Sequence, residues 1–115
     1  MRSIPRELMH DDIEWVNPPD AIETGTRRGQ SGFEGAESAF GRAYSSIEIE
    51  VEKQVETDDS VGLIMEILFH GRGSGIEVRQ RMGALFTIRE GKVGRFEWSN
   101  DPKGLLAGMS GRENG

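Results

Sequence analysis

The sequence predicts an α+β fold built on a curved antiparallel sheet. Three observations predict it. One segment of helical period is followed by four long segments of period two, so helix and strands are segregated along the chain. The strand segments are joined by short turns rich in Gly or Asp. Gly62, Gly83 and Gly94 fall inside strands, where glycine allows the bend or bulge that a curling sheet needs.

The elements follow in order. Ile4, Leu8 and Met9 suit one turn of helix, with Pro5 tolerated in its first turn. Residues 12–17 alternate, with Ile13 and Trp15 on one face, and Pro18-Pro19-Asp20 stops that strand. Residues 21–28 read as a second short strand or an irregular arm between Gly25 and Gly29. Residues 30–45 are the helix. Ser31 is its expected N-cap, with Glu34 at the capping-box spacing. Phe33, Ala36, Phe40 and Tyr44 (or Ala43) form its apolar stripe. Gly32, Gly35 and Gly41 weaken this helix, each by about 1 kcal/mol relative to Ala, and the pattern offers no reason for them.

From residue 46 the period becomes two. Ile47, Ile49, Val51 and Val55 alternate with glutamates and Gln54. After Asp58-Asp59, Val61, Leu63, Met65, Ile67 and Phe69 share a face, with Gly62, Ile64, Glu66, Leu68 and His70 opposite. Residues 71–75 make a hairpin turn. Ile76, Val78, Gln80, Met82, Ala84, Phe86 and Ile88 follow on one face, with Glu77, Arg79 and Arg81 on the other. Glu90-Gly91 is the next turn, and Phe96 and Trp98 share a face of the last strand. Asp101 is placed to cap a short helix over residues 102–107. The core face is thus Ile, Val, Met and Phe, while the other carries Glu48, Glu50, Glu52, Glu66, Arg79 and Arg81. Opposite charges on neighbouring strands can pair there.

Composition narrows the function classes. With 115 residues, a single domain over residues 1–109 is expected, followed by a frayed polar tail over residues 110–115. There is no Cys, which removes disulfides, thiolate nucleophiles and Cys-ligated metals. The net charge of −6 argues against a nucleic-acid partner. No apolar run reaches the roughly 20 residues of a membrane span, and no signal-peptide stretch opens the chain. A cytoplasmic protein is the expectation. His10 and His70 have no second His at metal-ligand spacing, so no metal or cofactor is expected. The loop Gly71-Arg72-Gly73-Ser74-Gly75 has neither Walker nor dinucleotide spacing and reads as a turn.

Residues 12–19, then Gly25-Thr26-Arg27-Arg28-Gly29 and a helix, carry a resemblance. It continues through the hairpin at 71–75 and through Arg89-Glu90-Gly91-Lys92-Val93 before an aromatic strand. In this order and spacing the chain resembles the SnoaL-like branch of the nuclear transport factor 2-like superfamily, which includes ketosteroid isomerase. The resemblance implies a cystatin-like cone, an α+β barrel whose bent sheet wraps around helices and leaves a pocket at its open end. Members isomerise steroids, cyclise polyketides, hydrolyse epoxides or bind small molecules without known chemistry, and many are homodimers. Fold alone therefore does not choose among these roles.

Members of the family begin with a long amphipathic helix that covers the concave face. Only about 11 residues precede Asp12 here, so an upstream segment or a neighbouring subunit is expected to fill that place. The isomerase base is an Asp before the Pro that ends the first strand, and the matching position is Asn17, whose amide cannot take that proton. The isomerase's hydrogen-bonding acid matches a position near Gly83, and its Tyr comes from the N-terminal helix. Isomerase chemistry of that type is not expected.

Asp20 and Glu23 are the candidate catalytic carboxylates, set against plain loop carboxylates. Trp15, Asn17, Phe40, Tyr44, Gln80, Met82 and Trp98 are the candidate ligand-binding residues, set against core packing. Gln80 stands out as a polar residue in an apolar series. The expected function is binding of a small, mostly apolar molecule in the cone. The alternatives are a cyclase, isomerase or hydrolase with a carboxylate base, and a non-catalytic dimerisation or interaction module.

Overall fold

A computed structural model of the chain describes residues 5–19, 21, 25–71, 73 and 75–107, without the side chains of Arg6, Phe40, Gly41 and Ala43. A 3-10 turn, Arg6–Leu8, leads into β1 (Met9–Asn17). Then come β2 (Gly25–Arg28), α1 (Gly29–Ala43), β3 (Tyr44–Glu56), β4 (Ser60–Gly71), β5 (Glu77–Arg89) and β6 (Lys92–Ser99). Residues 102–107 form a last short helix. Among the described residues the strands make one six-stranded sheet, in the order β2-β1-β6-β5-β4-β3.

The long strands pair antiparallel, as their alternation and turns require. The exception is β1, which runs parallel to β6 and places Trp15 beside Phe96. The sheet is therefore mixed rather than wholly antiparallel. Its cause is long-range: β5 occupies one edge of β6, and the apolar face of β1 is buried by taking the other. The β5–β6 turn has positive φ at both Glu90 and Gly91, the primed-turn geometry that suits twisted strands.

Three local expectations are corrected. The helix begins at Gly29, so Ser31 lies within it and is not its N-cap. The helix ends at Ala43, and Tyr44 opens β3 instead of extending the helical stripe. Met9 belongs to β1 and is among the most buried residues, at 1 % exposure, rather than to an N-terminal helical turn. Ile4 and the tail beyond residue 107 lie outside the described residues.

One apolar cluster, Met9, Ile13, Trp15, Phe33 and Ala36, fastens α1 to β1. Gly32 and Gly35 now have a reason. A Cβ at 32 would sit 3.3 Å from the Arg27 Cβ, and one at 35 would sit 2.9 Å from its guanidinium. Small residues there let the helix lie close against β2.

The opposite face of the sheet is not uniformly charged. Ile64 and Leu85 pack with Leu106, supported by Val55 and Leu105. Asp101 caps the covering helix, its Oδ1 accepting from the Gly104 N–H at 3.1 Å. A Cβ at Gly83 would come within 2.8 Å of the Pro102 Cα, so a glycine is what lets that helix approach. The rest of this face carries the expected ion pairs. Arg81 meets Glu52 at 3.1 Å and Arg79 meets Glu66 at 2.5 Å, while His70 lies 2.8 Å from Glu48. Glu66 holds the Arg79 guanidinium's pKa above its ordinary value, through the hydrogen bond first and the charge second. All are solvent-exposed pairs, which contribute little net stability.

Candidate functional site

The period-two apolar face does not close on itself. It lines a cavity of about 300 Å³ between the concave sheet and α1. That volume is at the small end of ligand pockets. Strand register builds the wall in rows. Val51, Met65 and Met82 are direct cross-strand partners, as are Ala84 with Trp98, and Phe86 with Phe96 and then Trp15. Alternation sends each of these side chains to the same side. The helix contributes Phe33 and Glu37.

The aromatic residues stabilise one another at this wall. Trp15 meets Phe33 edge-on with ring centroids 5.2 Å apart and Phe96 at 4.7 Å, and Phe96 meets Phe86 at 5.1 Å. Such pairs are worth roughly 0.5–1.5 kcal/mol beyond the area they bury.

Asn17 organises the two indoles. Its Oδ1 accepts from Trp15 Nε1 at 2.8 Å and from Trp98 Nε1 at 2.9 Å, and its Nδ2 donates to the Gly25 carbonyl at 3.2 Å. One side chain thereby joins β1, β2 and β6. Its oxygen serves as a fixed acceptor, so the position that resembles the isomerase base here holds the cavity's walls.

The sequence-selected residues fall into distinct places. Trp15, Met82 and Trp98 line the cavity. Asn17 stands behind the two indoles. Tyr44 packs on Phe69 with centroids 4.7 Å apart, beside the buried Ile67 and Met82. Gln80 shares the concave face with Met82 but donates to Asn100 just past β6. The Phe40 side chain, Asp20 and Glu23 lie outside the described residues. Gly83 contributes backbone to the wall, and its missing Cβ points toward Pro102 on the other face. Met82 and Ala84, which do face the cavity, are apolar.

The residue that sequence reasoning missed is Glu37. It is half-buried and lines the cavity from α1. A signal existed, because Glu37 lies four residues after Phe33 and so on the same helical face. A stripe defined by apolar residues alone passes over the one charge within it.

On the β3 side the cavity wall is open. Ile49 and Val51 line it, yet are 41 % and 50 % exposed. Helix α1 packs chiefly on β1 and only lightly on β3, so among the described residues the apolar face of β3 has no full cover. Charged Glu48, Glu50, Glu52 and Lys53 interleave with it, which keeps an edge strand from pairing indiscriminately.

Among the described residues, no group of three or more His, Cys, Asp or Glu is placed to hold a metal ion. No described helix is long and apolar enough to cross a membrane.

The sequence pattern of the SnoaL-like domain family matches residues 6–96. No curated protein matches the chain significantly. Solved structures share its fold. A candidate SnoaL-like polyketide cyclase from Jannaschia sp. CCS1 is 20 % identical with a TM-score of 0.74, over 91 % of this chain and 73 % of its own. TerC, co-crystallised with polyporic acid, is 21 % identical with a TM-score of 0.69, over 87 % of this chain and 78 % of its own. A protein with a ketosteroid isomerase-like fold from Catenulispora acidiphila, in complex with trimethylamine, is 17 % identical with a TM-score of 0.70, over 81 % of this chain and 69 % of its own. At these identities the likeness is one of fold.

Proposed function

The chain belongs to the SnoaL-like domain family, and from that premise we propose that it binds a small, mostly apolar molecule in the cavity between sheet and helix. The observation that carries the reading is the wall itself. Aromatic and aliphatic side chains from five strands and α1 line about 300 Å³, with one carboxylate among the described lining residues. A largely apolar concavity with few polar groups is the usual form of a small-molecule site. Two fold relatives were crystallised with small molecules, polyporic acid and trimethylamine, which supports a ligand-binding role for this fold.

Titration of tryptophan fluorescence with fused-ring apolar compounds tests the reading, since Trp15 and Trp98 both face the cavity. Saturable one-to-one quenching that Ala84→Leu abolishes supports it. Quenching that never saturates, or that persists in that variant, refutes it.

A second reading is favoured by Glu37. A carboxylate on an apolar wall is the usual equipment of a general base, so a cyclase, isomerase or hydrolase acting on a hydrophobic substrate is the alternative. Turnover lost in Glu37→Gln, with ligand affinity retained, distinguishes an enzyme from a binding protein.

A further inference from the structure

We propose that the cavity selects ligands bearing a hydrogen-bond donor, above all a protonated amine on an apolar body, and that Glu37 is the residue that reads it. This selectivity rests on the cavity binding proposed above. It follows from the polar groups that the described wall presents. The two indoles line it, but both N–H groups are directed at Asn17 Oδ1, at 2.8 and 2.9 Å. Trp15 and Trp98 therefore offer a ligand their ring faces and edges. Gly83 contributes backbone that lies within the sheet ladder, opposite Ile64 on one side and Ser99 on the other. The other wall side chains are hydrocarbon or thioether.

That leaves the Glu37 carboxylate as the strong polar group of the described wall. An ionised carboxylate only accepts, and it offers about four lone-pair sites, so serving a protein partner does not exhaust it. A ligand donor can bond to its further lone pairs, while a ligand anion would bring like charges together beside apolar walls. The aromatic faces act in the same direction, because their quadrupoles attract a cation. The amine would thus sit toward α1 and the apolar body against β4, β5 and β6. This orientation differs from one in which the ligand is held by contacts at Asn17 or Gln80, whose side chains are bonded within the protein.

The test uses three probes with one skeleton, 2-(2-naphthyl)ethylamine, 2-(2-naphthyl)ethanol and 2-naphthylacetate. Affinities are measured by calorimetry at about 0.15 M salt, where the protein's general negative charge is screened beyond about 8 Å. A charge-assisted hydrogen bond predicts the amine tighter than the acetate by on the order of tenfold to a hundredfold, with the alcohol between. Glu37→Gln brings the three within about threefold of one another. Glu37→Ala, a strong helix former at a helical site, does the same and serves if the first variant is unfolded. Wild-type protein that binds the acetate or the alcohol as tightly as the amine overturns the proposal. So does an amine preference that survives in either folded variant. If none of the probes binds, cavity binding itself is overturned. If all bind equally, cavity binding stands and only the selectivity fails.

Discussion

Replacing Asn17 by Leu removes the oxygen that both cavity indoles use. Trp15 is only 7 % exposed, so its N–H loses its acceptor in a place where water enters poorly. Trp98 is half-buried and is more easily rehydrated. A satisfied neutral hydrogen bond is worth about 0.5–1.5 kcal/mol net, and a stranded buried donor costs about 1–3 kcal/mol. Assigning the larger cost to Trp15 and the smaller to Trp98 gives a destabilisation of about 1.5–4.5 kcal/mol. For a domain of this size that lowers the melting midpoint by roughly 6–20 °C. Asn17→Asp is the control. It keeps an acceptor for both indoles and loses the amide bond to the Gly25 carbonyl, so it costs below about 1 kcal/mol at neutral pH. Because two N–H donors favour its charged form, that Asp is also a poor base. Urea denaturation followed by circular dichroism measures both variants. The indole N–H resonances of Trp15 and Trp98 report the geometry directly. The reasoning is refuted if Asn17→Leu unfolds within 0.5 kcal/mol (about the scatter of neutral surface changes) of the wild type and leaves both indole resonances in place.

Other outcomes follow from single contacts. Gly83→Ala forces the helix over residues 102–107 off Ile64 and Leu85 and costs about 1–3 kcal/mol, measured by urea denaturation; an unchanged midpoint would contradict the close approach. Asp101→Ala removes that helix's cap and costs about 0.5–2 kcal/mol, whereas Arg81→Ala, on the exposed charged face, changes stability by less than about 1 kcal/mol and less still in high salt. Glu90 is held below the usual carboxylate range, by its hydrogen bond to His10 first and by His10's charge second. A lowered folded-state pKa stabilises above the ordinary carboxylate range and is lost as pH falls through the folded value. Stability of Glu90→Gln measured against pH should therefore converge on the wild type in acid; divergence there would contradict the sign. We also expect the open face at Ile49 and Val51 to be covered by a second copy of the chain, so that light scattering gives a dimer mass for the wild type and a monomer mass for Ile49→Lys/Val51→Lys. A monomeric wild type would refute that.

Legibility in the sequence tracked the range of the forces involved. The wall of the cavity was readable because alternation is local, and Met65, Ile67, Met82, Ala84, Phe96 and Trp98 fall on one face whatever the rest of the chain does. The Asp101 cap was readable because its partner, Gly104, is three residues away. The parallel seating of β1 on β6 was not, because it joins residues about eighty positions apart that no local pattern relates. The role of Asn17 was hidden for the same reason. Its bond to Trp15 spans two residues, but its bond to Trp98 spans 81. Gln80 was singled out for the right physical reason, a polar side chain on an apolar face, and its partner turned out to be Asn100 within the protein. Glu37 was passed over because an apolar stripe, traced by its hydrophobic members, hides a charge at a shared helical position. The glycines at 32 and 35 read as defects within the helix alone, because their reason, Arg27 of β2 lying against them, is a tertiary contact.

Binding in the cavity is tested most directly by the indole N–H resonances of Trp15 and Trp98 during titration with 2-(2-naphthyl)ethylamine. Both indoles sit on the wall and both are pinned by Asn17. Occupancy predicts that the two resonances shift together and saturate at one equivalent of bound probe. Resonances that stay fixed up to the solubility limit of the probe, while the protein remains folded, would contradict it.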